Sequence, residues 1–126
     1  MPWSTIVKSS RDWETVPNLH DYGSIHARFT WEQARQDLEG LRDNQGLNIA
    51  HEAIDRHANG ARASHLAIRW LGKNGTIEDY SYGQLQDLTN RFANLLQQLG
   101  VARGDRVFVL AGRIPELYIA ALGAFK

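Results

Sequence analysis

The residues of this 126-residue chain that could carry chemistry are five histidines, a Gly-Ser step beside one of them, and three arginines near the C-terminus. His51 and His57 are six residues apart, roughly 240° around a helix. They therefore cannot share a metal ion, because the zinc-protease pattern needs two histidines four apart on one face. His57 falls within an apolar stripe and reads as a hydrogen-bonded core histidine. Gly23-Ser24 lies near His26 and superficially pairs a nucleophile with a base, but adjacency in an irregular segment is not a triad. Arg103, Arg106 and Arg113 flank a predicted strand. Ligands bind at the C-terminal ends of parallel strands, which makes Arg113 the candidate anion contact. Asp105 reads as a turn residue. No GxGxxG, P-loop or GxSxG motif occurs, and there is no cysteine to build a disulfide or a thiolate metal site. The expected catalytic, cofactor-binding and metal-binding sets are all empty.

Composition narrows the class further. Fourteen basic and fourteen acidic side chains give zero formal charge, so nothing argues for a nucleic-acid or anionic-membrane partner. MPWSTIVKSSRDWE has neither a basic start nor an apolar core, so it does not read as a secretory signal. No window approaches the ~20 apolar residues of a membrane span. The absence of cysteine fits a cytoplasmic protein.

The elements that would position these residues follow from periodicity. Residues 1–29 show little of it; Trp3, Trp13, Tyr22 and Phe29 are scattered between Pro2 and Pro17, and the segment reads as an extended arm pinned by its aromatics. Thr30 and Gln33 form a capping box for a helix carrying Trp31, Ala34, Leu38 and Leu41 on one face and fraying at Gly40. Asn48 is the next cap, leading into IAHEAIDRHANG, with Ile49, Ala50, Ala53 and Ile54 on one side. Ser64–Leu71 alternates as a half-buried strand. Asn74-Gly75 turns it into a hairpin whose second strand is Thr76–Tyr80. Ser81 and Gln84 cap a long helix with Leu85, Leu88, Phe92, Leu95, Leu96 and Leu99 in one stripe, Gln86, Asp87, Asn90, Asn94 and Gln97 facing away, and Gly100 as its stop. Val107–Ala111 is apolar throughout, as in a parallel strand covered on both faces. Pro115 opens a helix with no charge between Glu116 and Lys126, which must be covered by other structure.

These motifs resemble a known family. YSYGQLQDLTNRFANLLQQLGVARGDRVFVL, Tyr80 to Leu110, is similar to the first core motif of the adenylate-forming superfamily of acyl-CoA synthetases, luciferases and peptide-synthetase adenylation domains. GRIPELYIAALGAFK, Gly112 to Lys126, resembles the helix that leads to its second motif. LNIAHEAIDRHANG, Leu47 to Gly60, resembles the "LN…DRH" segment of synthetases acting on short carboxylic acids. Asn18 to Ala34, with Tyr22, Phe29 and Trp31, looks like the extension found in AMP-forming acetate–CoA ligases.

The resemblance implies an α/β fold: the start of the large N-terminal domain, with a β-hairpin, two helices around a buried parallel-type strand, and a mostly helical N-terminal extension, incomplete as it stands. It implies an arm over 1–17, an extension over 18–62, and the beginning of an AMP-binding domain over 63–126. The implied activity is ligation in two steps, in which ATP and acetate give an acetyl-adenylate and pyrophosphate, and CoA then displaces AMP. ATP, CoA and Mg²⁺ would serve the complete enzyme and none is expected on these residues. The family's phosphate loop, nucleotide motifs, hinge and catalytic lysine have no counterpart here, so the chain is read as the inactive front end of a larger protein. Its apolar surfaces would be covered by the rest of that protein or by self-association. A ligase for propionate or another short- or medium-chain acid, and a non-catalytic module docking through its last helix, are the alternatives.

Overall fold

The structure is a computed structural model and describes residues 9, 14–15 and 19–126. Trp3, Trp13, Pro2 and Pro17 lie outside the described residues. Two compact units divide at Asp37/Leu38.

The first unit contains two short helices, α1 (Tyr22–Arg28) and α2 (Trp31–Gln36). The expected extended arm is therefore helical over Tyr22–Arg28. Its cause is a cap, not apolar periodicity: the Asp21 carboxylate accepts from the Ser24 N–H at 3.2 Å, satisfying a first-turn donor. Rings pair locally, Tyr22 with His26 and Phe29 edge-on to Trp31 at 5.2 Å. Thr30 caps α2 as expected, accepting from the Gln33 N–H at 3.2 Å. The helix stops at Gln36, short of Gly40.

The second unit, Leu38–Lys126, holds the rest. Gly40 takes a left-handed φ of 74°, and the Glu39 and Gly40 N–H groups donate to the Glu52 carboxylate at 3.2 and 2.7 Å. Those donors are thus removed from any helical ladder, which is why the expected helix cannot reach residue 40. A 3₁₀ turn follows at Arg42–Asn44. Asn48 caps the next helix, its Oδ1 accepting from the Ala50 and His51 N–H groups at 2.8 and 3.2 Å. This helix is not a plain α-helix. His51–Asp55 is π-helical and runs into α3 (Arg56–Ala58), with the Arg56 N–H reaching back five residues to the His51 carbonyl. The wider turn breaks the expected apolar stripe: Ala50 and Ile54 are buried, while Ile49 is 60% exposed.

Strands β1 (Leu66–Leu71) and β2 (Ile77–Ser81) pair antiparallel. Leu66 faces Ser81 and Ile68 faces Tyr80, so Ala67 forms a bulge. The bulge interrupts the expected alternation, and Leu66 is exposed where Ile68 is half-buried. At the tip only Gly75 takes positive φ; Asn74 instead accepts from the Thr76 N–H and hydroxyl at 3.1 and 2.7 Å.

Helix α4 (Tyr82–Gln98) begins at a complete capping box: Ser81 Oγ accepts from the Gln84 N–H at 3.3 Å and Gln84 Oε1 from the Ser81 N–H at 2.9 Å. It ends in a Schellman arrangement, with the Gly100 N–H on the Gln97 carbonyl and the Val101 N–H on that of Leu96, both at 3.0 Å. Only its first half is deeply buried. Leu85 is 2% exposed and Leu99 70%. Asp105 closes the next turn, its carboxylate accepting from the Ala102 N–H at 2.8 Å.

Helix α5 (Pro115–Ala124) lies against α4 with Gly123 at the contact. A Cβ on Gly123 would sit 2.9 Å from the Thr89 carbonyl oxygen and 3.0 Å from Phe92 Cβ, so only glycine fits. The core is thus built where α4, α5 and the 49–58 helix meet: Ala50, Ile54, Leu85, Thr89, Pro115 and Gly123. Residues 107–111 form no strand, and Phe108 and Leu110 are fully or nearly fully exposed. This corrects the expected buried strand. A ladder needs a neighbour, and among the described residues the two strands pair only with each other.

Candidate functional site

The polar residues of the second unit gather where the 49–58 helix meets α4 and the end of α5. Asn48 works at two helix ends at once. While its Oδ1 caps residues 49–58, its Nδ2 donates to the Phe125 carbonyl at 2.6 Å, satisfying an acceptor at the C-terminus of α5. Asp55, seven residues further on, accepts from Lys126 Nζ at 2.6 Å and from Gln86 Nε2 at 3.3 Å. Lys126 Nζ also donates to Asn90 Oδ1 at 2.5 Å, and Gln86 Nε2 donates to Asn59 Oδ1 at 3.1 Å. The Lys126 and Asp55 side chains are 11% and 19% exposed. Gln86 and Asn90, expected to face away, are instead the α4 side of this network.

A second cluster ties the 38–46 loop to the same helix. Glu52 accepts from two loop N–H groups and from Arg56 Nη1 at 2.6 Å. Burial disfavours its charge, but the Gly40 N–H, Arg56 and the Glu39 N–H together outweigh this and hold its carboxyl below the usual range. His51 Nε2 is buried without a hydrogen bond and lies 3.5 Å from Glu39 Oε2. His57 packs half-buried against the Tyr82 ring at 4.9 Å. The two histidines thus have separate surroundings. Among the described residues no three metal-ligating side chains converge.

Two open clefts border these clusters. One, of about 780 Å³, is lined by Leu41, Leu47, Leu96, Val107 and Phe125, with Arg103 at its wall. The other, of about 560 Å³, holds Glu39, His51, Asp55, Arg56, Gln86 and Asn90. Asp55 is committed to Lys126, and Arg56 to Glu52. Neither cleft presents a nucleophile and a base aimed at a common point, as a reacting site requires. Of the candidate arginines only Arg103 lines a cleft; Arg106 and Arg113 line neither and are exposed. The Arg113 carbonyl, not its guanidinium, makes the long-range contact there, accepting from Trp70 Nε1 at 2.7 Å. In the first unit, the Ser24 hydroxyl donates to Asp21 and His26 lies beside Tyr22, so Ser24 and His26 form no dyad.

Elsewhere Arg69 and Asp79, opposite one another on β1 and β2, make a two-bond ion pair with both contacts at 2.7 Å. Hydrogen bonding from Arg69 holds the Asp79 carboxyl low, and Asp79 in turn raises Arg69. The pair is exposed and belongs to the hairpin surface.

The chain is 36% identical over 110 residues to the acetyl-coenzyme A synthetase of Bacillus subtilis, covering 86% of this chain and 19% of that protein. It is 39% identical over 126 residues to the acetyl-coenzyme A synthetase of Methanothrix soehngenii, covering 98% and 17%. It superposes on the crystal structure of a Brucella canis acyl-CoA synthetase with a TM-score of 0.72 and 32% identity, covering 82% of this chain and 18% of that one. The chain therefore spans less than a fifth of the length of these relatives. The α/β arrangement is that of the start of the adenylate-forming fold. The family model described as "AMP-binding enzyme" matches residues 54–126, more than half of the chain and all of α4 and α5, and the chain belongs to that family.

Proposed function

We propose that the protein to which these residues belong is an AMP-forming acetate–CoA ligase, and that this stretch is N-terminal scaffold for its adenylating domain. The observation that carries the reading is the 39% identity to an acetyl-coenzyme A synthetase across 126 residues. The complete reaction would join acetate to AMP with release of pyrophosphate, and then transfer the acetyl group to CoA. ATP, CoA, acetate and Mg²⁺ are its implied substrates and ion, and the cytoplasm, where ATP and CoA are at hand, is its proposed location.

The described residues fit neither Mg²⁺ nor a triphosphate. Mg²⁺ takes oxygen ligands in near-octahedral geometry, and the described residues offer no converging carboxylates. A triphosphate needs converging cations or a glycine-rich backbone cradle, and Arg103, Arg106 and Arg113 do not meet in one cleft. No reaction step is assigned to these side chains. What they supply is a capped, closely packed α4–α5 pair with the 49–58 helix fastened across it. The expected division at 62/63 is retained only as a proposal about ancestry, in which residues 18–62 are an extension and 63–126 the start of the adenylating domain.

The test is AMP release by the whole protein across a panel of carboxylic acids with ATP, Mg²⁺ and CoA. Acetate should give the highest kcat/KM. Propionate or a longer acid giving the highest value would overturn the acetate assignment.

A further inference from the structure

The Leu47–Gly60 segment resembles one found in short-acid synthetases, and its side chains are engaged within the fold. Asn48 binds the Phe125 carbonyl, 77 residues away, and Asp55 binds Lys126, 71 residues away. Both contacts land on the two residues that follow α5. The side chains of Asp55 and Lys126 are largely withdrawn from solvent, and Asn90 and Gln86 bind the same pair from α4. Charge-assisted hydrogen bonds in such a place are directional and strong. An ammonium at the C-terminus of a helix is also favoured by the helix dipole. Phe125 itself is 55% exposed, so its ring adds little to this fixing.

We infer that Asn48 and Asp55 are positioning residues, a two-point latch that fixes the end of α5 and through it the rate of the ligase reaction, without touching substrate. The inference rests on the ligase reading above for its kinetic half only. On this assignment the segment acts on turnover through where it holds the end of α5. Loss of the latch should therefore lower kcat and leave substrate binding alone. A residue that contacted acetate would shift KM instead.

The experiment uses the whole protein with Asp55→Asn, Asn48→Ala, Lys126→Met and the conservative Lys126→Arg. Two readouts are taken: amide exchange of residues 121–126, and kcat and KM for acetate and ATP. In Asp55→Asn and Lys126→Met, exchange at the end of α5 should accelerate about tenfold, as for loss of a hydrogen bond to a charged group. Their kcat should fall several-fold while KM stays within about twofold. Lys126→Arg should restore both. Unchanged exchange in Asp55→Asn overturns the latch whether or not the protein is a ligase. Faster exchange with unchanged kcat, or a change confined to KM, overturns its positioning role. Absence of acetate-dependent AMP release in the unmutated protein overturns the ligase reading and the kinetic half with it, while the exchange readout still decides the latch.

Discussion

Gly123 shows how one missing side chain decides a helix pair. With the Thr89 carbonyl 2.9 Å from where its Cβ would be, and that atom being backbone, the neighbour cannot turn aside. Gly123→Ala should therefore destabilise the second unit by about 1–3 kcal/mol through overpacking, despite alanine's better helix propensity. Urea unfolding of the variant beside the parent measures it, and equal or greater stability would contradict the close α4–α5 contact. Glu52 makes a second prediction at this scale. Its carboxyl is held below its ordinary value of 4.5. A depressed folded-state value means stability that is present above the unfolded value and lost as pH falls through the folded one. The stability difference between the parent and Glu52→Gln should thus be constant near neutral pH and disappear as pH falls below about 4.5. A difference that persisted unchanged to strong acid would contradict the ionised clasp on the Gly40 and Glu39 N–H groups. Thr89, fully buried with its hydroxyl donating to the Leu85 carbonyl at 2.7 Å, was invisible in the sequence. It sits on the helix face between the leucines, but a polar residue gives no apolar signal.

At the scale of elements, legibility depended on whether the determinant was local. The Ser81–Gln84 box, the Gly100 stop, Pro115 at the first position of α5 and the Asn48 cap were all readable, because each is satisfied within a few residues. Ser81→Ala should accordingly cost about 1 kcal/mol, since the Gln84 N–H loses its acceptor while the residue-81 N–H can still donate to Gln84. A thermal melt of that variant checks it, and an unchanged midpoint would argue that packing alone fixes the start of α4. Helix α1 escaped notice because it rests on one Asp21 cap with no buried residue. The π-turn and the bulge at Ala67 each insert one residue into a regular pattern, and periodicity cannot announce an irregularity. The latch was hidden for another reason. Its partners are more than seventy residues apart, and Asn90 and Gln86 have the composition of a solvent-facing stripe. Residues 107–111 show an apolar run that resembles a strand, but no described strand lies beside them to form a ladder. Replacing Phe108 and Leu110 together by serine should leave the stability of the 126-residue chain within about 0.5 kcal/mol, because both are already exposed. A large loss would show that this segment is packed after all.

For the whole molecule, the sequence made the family legible and the reacting centre illegible, and the structure gives one reason for both. The features that carry the resemblance, from the Ser81 cap through Gly100 and Asp105 to Gly123, are caps, turns and a helix contact. Their chemistry is spent on the backbone. In the second unit, Glu52 is likewise spent on the 38–46 loop and on Arg56, and Asp55 on Lys126, which holds the 49–58 helix to its surroundings. Under the proposed function, these 126 residues position an adenylating enzyme without performing its reaction. The most direct measurement is acetate- and CoA-dependent release of AMP from ATP, assayed side by side for the purified 126-residue chain and for the whole protein. Turnover by the whole protein and none by the 126 residues is the expected result; acetate- and CoA-dependent AMP from the 126 residues alone would contradict it.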